Sequence, residues 1–147
     1  MSGDRYFVDT NILIYAYDTS AGIKHETAHT LLSSLWKNRN GVISTQVLQE
    51  FYVNVTRKIA RPLEIASARM IIEDFATWDV VTIETDTILA AIDLQQLSAL
   101  SFWDAMIMSA AASAGADVLL TEDLKHGQII AGVKICNPFI GKNGCER

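Results

Sequence analysis

The sequence is short of the residues that build disulfide scaffolds, membrane spans and basic surfaces. Only Cys136 and Cys145 are cysteines among 147 residues; two cysteines make neither a disulfide framework nor a CxxC zinc site, and they favour a reducing cytoplasm. No apolar run approaches the ~20 residues of a membrane-spanning helix, and no signal-peptide pattern is present at the N-terminus. We therefore expect a cytoplasmic protein without a membrane partner.

Positive charge is also scarce. Lysine and arginine number 12 against 17 aspartates and glutamates, for a net charge of -5. This balance argues against a protein that holds nucleic acid by bulk positive charge. A divalent metal ion could still bring positive charge to an acidic site, so nucleic acid stays open as a substrate.

Hydrophobic residues make up half of the chain, which predicts a single globular domain spanning residues 1–147. Strand-like and helix-like patterns alternate along it. The predicted strands lie at 6–9, 42–44, 80–83, 117–121 and 133–136. The predicted helices start at about 12 and 86 and otherwise span 24–36, 46–58, 63–78 and 105–114. The predicted cap of the helix at 46–58 is Ser44 or Thr45, and that of the helix near 86 is Thr85. The alternation predicts an α/β fold with helices on both faces of a five-stranded, mainly parallel sheet. The three tryptophans, Trp36, Trp78 and Trp103, are interpreted as packing residues.

Asp9 follows the first buried strand directly. An ionised carboxylate in that position is costly unless something pairs with it. Thr10 or Asn11 is predicted to cap the next helix, which would leave the Asp9 carboxylate free. The alternative is that Asp9 is itself only a helix cap.

Three further acidic positions are predicted to lie near the same edge of the sheet, because ligand sites of such sheets lie beyond the carboxyl ends of the strands. Glu50 lies on the polar face of its helix; alone it could be an ordinary solvated glutamate. Asp104 could simply complete a Ser-x-x-Asp capping pattern, and Glu122 and Asp123 could be turn residues. The joint placement of these acids is what favours a functional site.

Several carboxylates at one edge would repel one another, and a divalent cation would remove the repulsion. Oxygen ligands of this kind suit Mg²⁺ or Mn²⁺. Asn11 and Thr121 could add neutral oxygens, as ligands or as hydrogen-bonding neighbours of the ligands. Such a metal can activate water for attack on a phosphodiester, with one ion or with two. Flanking phosphates could be held by three nearby cations, Arg57, Arg61 and Lys125.

Four segments together resemble a PIN domain, and especially the VapC-type toxins of bacterial toxin–antitoxin pairs. The segments are FVDTNIL at 7–13, VLQEFY at 47–52, SFWDAMI at 101–107 and LLTEDL at 119–124. They occur in the family's order and span most of the chain. One segment alone would be a weak signal, whereas four in sequence are specific.

The resemblance implies a metal-dependent ribonuclease with a short parallel sheet. It places the family's catalytic and metal-binding acids on Asp9, Glu50, Asp104 and Asp123. Glu122 is an alternate ligand for the fourth position, where Asp123 is favoured because the family's acid lies two residues after a threonine. The resemblance further implies an RNA substrate, a homodimer, and a small antitoxin protein that covers the acidic groove.

Three other functions are weighed at this point. An aspartate-nucleophile phosphatase would use Asp9 to attack phosphate, although the second aspartate that such enzymes carry two residues later is absent, since that position is Asn11. A phospho-receiver domain shares the alternating pattern, but the sequence shows neither the further acid pair that it needs at the first strand nor an acceptor aspartate after a middle strand. A non-catalytic PIN-like module that binds RNA or protein is the non-enzymatic alternative, and the complete set of acids argues against it.

Overall fold

The computed structural model describes residues 3–140 and Cys145. Its six strands are β1 (Tyr6–Val8), β2 (Gly41–Ser44), β3 (Asp79–Val81), β4 (Val118–Leu120), β5 (Ile129–Ile130) and β6 (Val133–Cys136). The six α-helices are α1 (Thr10–Tyr17), α2 (Ile23–Asn38), α3 (Thr45–Arg57), α4 (Ile65–Phe75), α5 (Thr85–Leu97) and α6 (Phe102–Ser113). A short 3₁₀ helix, Thr19–Ala21, precedes α2.

The strands form one sheet in the order β3-β2-β1-β4-β6-β5. Every neighbouring pair is parallel except β5–β6. The central strand β1 pairs with β2 on one side and β4 on the other, with Phe7 opposite Val42 and Leu119. All three of these side chains are fully buried, as expected for a parallel sheet covered by helices.

The α/β fold with a mainly parallel sheet is confirmed, and the sheet has one strand more than predicted. The missed strand is β5, whose two residues pair antiparallel with β6. Ile130 is buried whereas Ile129 is 67% exposed. Two residues are too few to show an alternating or continuous apolar pattern, so the sequence carries no usable signal for β5.

Two helix starts follow the predicted capping chemistry and two do not. Ser44 and Ser101 cap α3 and α6, each accepting a hydrogen bond from the backbone three residues later. The predicted Thr85 cap is wrong, because Glu84 occupies the N-cap and forms a capping box with Thr87. The predicted cap of α1 is also wrong, since Asp9 itself is the N-cap.

Packing near the start of β2 requires a residue without a side chain. A Cβ at Gly41 would fall 2.6 Å from Cε3 and 2.7 Å from Cη2 of Trp78. The Trp78 ring is held by edge-on contacts with Phe75 and Trp36, whose ring centroids lie 4.9 and 5.1 Å away. Gly41 therefore lets this aromatic cluster close over the sheet.

The two cysteines are paired in the structure. Cys136, at the end of β6, forms a disulfide with Cys145, with 5.5 Å between the Cα atoms. The sequence did not predict this pairing, because two isolated cysteines lack a framework pattern. Among the residues described, no helix is both long and apolar enough to cross a membrane.

Candidate active site

A cavity of about 590 Å³ lies beyond the carboxyl ends of the central strands. It brings together the four acids predicted to form the site, which come from four separate parts of the chain. The residues that line it are Asp9, Thr10, Asn11, Ile14, Gln46, Gln49, Glu50, Val53, Asn54, Lys58, Trp103, Asp104, Ile107 and Asp123.

Asp9 is the most buried of the acids, at 5% exposure. One carboxylate oxygen accepts a hydrogen bond from the Thr10 amide at 2.7 Å, and the other accepts from the Thr121 hydroxyl at 2.8 Å. Thr121 belongs to the segment just after β4, which neighbours β1 in the sheet. The Asp9 carboxylate is therefore held between two neighbouring strand ends.

Burial raises the pKa of Asp9 from 3.8 to about 7, and the negative charges of Asp123 and Glu50 contribute to this rise. The hydrogen bonds from Thr121 and Thr10 act in the opposite direction but do not compensate. A carboxyl that is so costly to ionise in the bare protein is one that a nearby cation would stabilise.

Glu50 approaches Asp9 from helix α3. Its carboxylate accepts a hydrogen bond from the Thr10 hydroxyl at 2.6 Å and a longer one from the Gln46 side-chain amide at 3.4 Å. Asn54, one turn further along, donates to the backbone carbonyl of Glu50 at 2.8 Å. The polar face predicted for this helix thus faces the cavity through Gln46, Glu50 and Asn54.

Asp104 lies in the first turn of α6, and its backbone amide donates to the Ser101 hydroxyl at 3.1 Å. The capping role belongs to Ser101, so the Asp104 side chain is left to line the cavity. Burial raises the pKa of Asp104, and the charges of Asp123 and Glu50 add to this effect. The acids are therefore close enough to influence one another electrostatically.

The residues after β4 divide into two environments. The Asp123 carboxylate accepts from the Asn11 side chain at 3.0 Å and lines the cavity. The Glu122 carboxylate instead accepts from the Tyr15 hydroxyl at 2.5 Å and from Lys24 at 2.8 Å. Lys24 also lies over the Tyr15 ring, 5.1 Å from its centroid. Lys24 thus neutralises the charge of Glu122. Glu122 is not among the described residues that line the cavity.

Thr121 and Asn11 connect the two strand ends. The Thr121 hydroxyl donates to Asp9 and accepts from the Asp123 amide at 3.1 Å and from the Asn11 side chain at 3.3 Å. The Asn11 side chain therefore donates hydrogen bonds to both Asp123 and Thr121. This is the position of a hydrogen-bonding neighbour of the candidate metal ligands.

The predicted phosphate-binding cations lie at the periphery. Arg57, Arg61 and Lys125 are exposed, and none of them belongs to the described lining of the cavity. Lys58, which the sequence did not single out, is the lining cation instead. Lys58 directly follows Arg57, the last residue of α3. The polar pattern of the helix does not indicate which of these two adjacent cations lines the cavity.

The donor set suits a hard divalent cation. Carboxylate and amide oxygens are the ligands that Mg²⁺ and Mn²⁺ prefer. Among the residues that the structure describes, no three His, Cys, Asp or Glu side chains are gathered closely enough to hold one ion between them. Because Mg²⁺ usually keeps several waters and takes only one or two carboxylates from the protein, the arrangement still fits such an ion.

Besides Lys58, other lining residues of the cavity were missed by sequence reasoning. Gln49 and Val53 lie on α3, and Trp103, interpreted above as a packing residue, is 62% exposed at the edge of the cavity. The only available signal was adjacency: Trp103 directly precedes Asp104, and Gln49 directly precedes Glu50.

Comparisons with known proteins identify the family and the fold. A family model described as PIN domain matches residues 6–130. A toxin–antitoxin complex from Klebsiella pneumoniae superposes with a TM-score of 0.68 at 23% identity, covering 91% of this chain and 98% of that chain. A DNA-bound VapBC from Salmonella typhimurium superposes with a TM-score of 0.63 at 19% identity, covering 90% and 96%.

A third similar structure is VapC20 from Mycobacterium tuberculosis, described as a toxin that cleaves the sarcin–ricin loop. It superposes with a TM-score of 0.59 at 21% identity, covering 78% of this chain and 86% of that chain. No curated protein matches the chain in sequence.

Proposed function

The chain belongs to the PIN domain family, and from that premise we propose that it is a metal-dependent endoribonuclease, the toxin of a type II toxin–antitoxin pair. The observation that carries the proposal is the convergence of Asp9, Glu50, Asp104 and Asp123 on one cavity at the carboxyl ends of the strands. Family membership favours a nuclease over an aspartate-nucleophile phosphatase. The complete set of acids favours catalysis over a purely binding module.

Of the four acids Asp9, Glu50, Asp104 and Asp123, one or two would bind Mg²⁺ or Mn²⁺ directly, and the others would bind waters that the ion keeps. When bound, the ion supplies activation of a water molecule and neutralises charge that develops on the phosphodiester. The protein contributes positioning: Thr10 and Thr121 orient Asp9, and Asn11 orients Asp123. Lys58 is available for a phosphate of the bound RNA, and Arg57, Arg61 and Lys125 for phosphates further along the strand.

The partners follow from the same proposal. Both the Klebsiella complex and the Salmonella VapBC are toxin–antitoxin assemblies. By likeness we propose that a small antitoxin covers the acidic cavity of this protein, and that the toxin forms a homodimer. An acidic cavity whose described lining includes a single cation suits a partner segment that presents basic side chains.

The direct test replaces Asp104 by asparagine. We expect cleavage of RNA in the presence of Mg²⁺ or Mn²⁺ to fall about 100-fold, because one charged ligand is lost while the shape of the side chain is kept. Asp93→Asn, which neutralises an exposed acid on α5, is the matched control and should cleave like the wild type. Undiminished cleavage by the purified Asp104→Asn protein would contradict the proposal.

A second pair of variants decides between the adjacent acids Glu122 and Asp123. Asp123→Asn should lower cleavage at least about 10-fold, because this carboxylate lines the cavity. Glu122→Gln should lower it less than about threefold, because its carboxylate is bound to Tyr15 and Lys24. Initial rates on one RNA substrate measure both. A larger loss in Glu122→Gln would reverse the assignment.

A further inference from the structure

The cavity contains two features that a metal site alone does not require. Trp103 is 62% exposed although it is a large aromatic residue, and it lies at the edge of the acidic cavity. Gln46 is only 6% exposed, yet its side-chain oxygen has no hydrogen-bond partner among the described residues. Buried polar atoms are nearly always paired, so this oxygen is expected to receive a hydrogen bond from a group outside the protein chain.

The orientation of Gln46 follows from its neighbour. The Glu50 carboxylate accepts hydrogen bonds and cannot donate when ionised, so the Gln46 amide nitrogen must face it, as observed at 3.4 Å. The Gln46 oxygen is then the atom left without a partner within the described cavity lining. What it lacks is a hydrogen-bond donor.

The orientation of Trp103 is set by Phe102. The two rings meet edge to face, with 5.0 Å between centroids and 75° between planes. Phe102 packs against the buried cluster of Ala91, Ala105 and Met106. The Trp103 indole is therefore an exposed flat surface supported by a packed side chain, which is the form of a base-stacking platform.

Charge gives an independent reason to expect contacts with bases. The cavity has four acids and, among the lining residues described, one cation, Lys58. Binding through phosphates alone would be weak at such a site. An RNA ligand would need affinity from groups other than its phosphates, and aromatic stacking supplies such affinity for any base.

We propose that Trp103 and Gln46 form a nucleotide-binding subsite beside the acids, in which Trp103 stacks on a base and the Gln46 oxygen accepts a hydrogen bond from the nucleotide. The donor is a base N–H or a ribose 2′-hydroxyl. This inference rests on the proposed function, because it assumes RNA as the ligand. It assigns both residues to positioning of the substrate.

The test measures the affinity of fluorescein-labelled octa-adenylate in Mg²⁺ by anisotropy, in an Asp104→Asn background whose cleavage is expected to be about 100-fold slower. Trp103→Ala should raise the Kd about 10-fold, whereas Trp103→Phe, which keeps an aromatic face, should raise it less than about threefold. Gln46→Ala should raise the Kd about fivefold. An octameric ribose-phosphate chain without bases should bind equally to the Trp103→Ala protein and its parent.

The source of the hydrogen-bond donor is read from a 2′-deoxy octamer. If the donor is the 2′-hydroxyl, the effect of Gln46→Ala disappears with this ligand. If the donor is a base N–H, the effect persists with the deoxy octamer and disappears with the chain that has no bases. Either pattern supports the subsite. An equal effect of Gln46→Ala on octa-adenylate, the 2′-deoxy octamer and the chain without bases would overturn the proposed role of Gln46.

Two results would overturn the role of Trp103. One is an unchanged Kd for octa-adenylate in Trp103→Ala. The other is conversion of a dimer to a monomer in sedimentation, which would make Trp103 a contact between subunits. The proposed function fails separately: if Asp104→Asn cleaves RNA normally while Trp103→Ala still weakens binding, the nuclease assignment is wrong and the nucleotide subsite stands.

Discussion

Replacement of Asp9 by asparagine is expected to remove RNA cleavage and, at the same time, to stabilise the metal-free protein. The loss of cleavage should be on the order of 10³-fold, because the most buried of the proposed metal-binding acids loses its charge. The gain in the free energy of unfolding should be roughly 1–3 kcal/mol at pH 8. Opposite effects on activity and stability are typical of functional groups whose placement in the folded protein is energetically costly.

The stability effect has a defined pH dependence. The pKa of Asp9 is about 7 in the folded protein, against an ordinary value of 3.8. Between these values the folded protein keeps a proton that the unfolded chain has lost, so the free energy of unfolding falls as pH rises from about 4 to 7. Above about pH 7 the full destabilisation is present, and below about pH 4 it vanishes.

The gain from Asp9→Asn is smaller than the pKa difference alone would suggest. The Thr121 hydroxyl donates to Asp9 and already accepts from Asp123 and Asn11. In Asp9→Asn the side-chain amide nitrogen would lie next to the Thr121 hydroxyl, and both groups are hydrogen-bond donors. The lost hydrogen bond should cost about 1 kcal/mol.

Urea unfolding in EDTA at pH 5 and pH 8 measures this prediction. The stability gap between Asp9→Asn and the wild type should widen with pH, whereas Asp93→Asn should follow the wild type at both. Saturating Mg²⁺ should narrow the gap by stabilising only the wild type. A gap that does not change with pH would show that Asp9 is ionised throughout this range.

The second large effect is expected far from the cavity. Gly41→Ala should destabilise the protein by about 3 kcal/mol, because the new methyl group would overlap the ring of Trp78. That ring cannot move away cheaply, since Phe75 and Trp36 pack against it. We expect the melting temperature to fall by about 10 °C, as measured by circular dichroism.

A double-mutant cycle tests the proposed cause. Trp78→Leu removes the ring that the methyl group introduced at position 41 would meet, so Gly41→Ala should cost less in that background than in the wild type. If the two substitutions simply add, the overlap with Trp78 is not what destabilises the variant. Cleavage per folded molecule should be unchanged in either case, because neither residue lines the cavity as described.

The fold was largely predictable because its elements carry local signals. The apolar runs at β1, β2 and β4 indicated buried strands, and Ser44 and Ser101 marked the starts of α3 and α6. β5 was not predictable, because its two residues become a strand only through pairing with β6. The Cys136–Cys145 disulfide was likewise not predictable, because only the tertiary structure brings the two cysteines together.

The sequence predicted which acids lie together in the candidate site, but not which hydrogen bonds those acids form. Strand–helix alternation places the ends of parallel strands at one edge, so Asp9 and Asp123 were expected to be neighbours. Whether Asp9 was free or bound could not be read from its segment, since its second partner, Thr121, lies 112 residues away. The division of roles between Glu122 and Asp123 likewise depends on Tyr15, Lys24 and Asn11.

By itself the sequence determined which acids the protein carries, their order, and the α/β alternation that brings them to one edge. These properties are local, because periodicity and capping act over a few residues. Only the tertiary structure decided which carboxylate is buried, which is neutralised by a lysine, and that the Trp103 ring is exposed beside a Gln46 oxygen with no partner among the described residues. Burial and pairing depend on contacts between distant segments, and the one-dimensional pattern does not contain them.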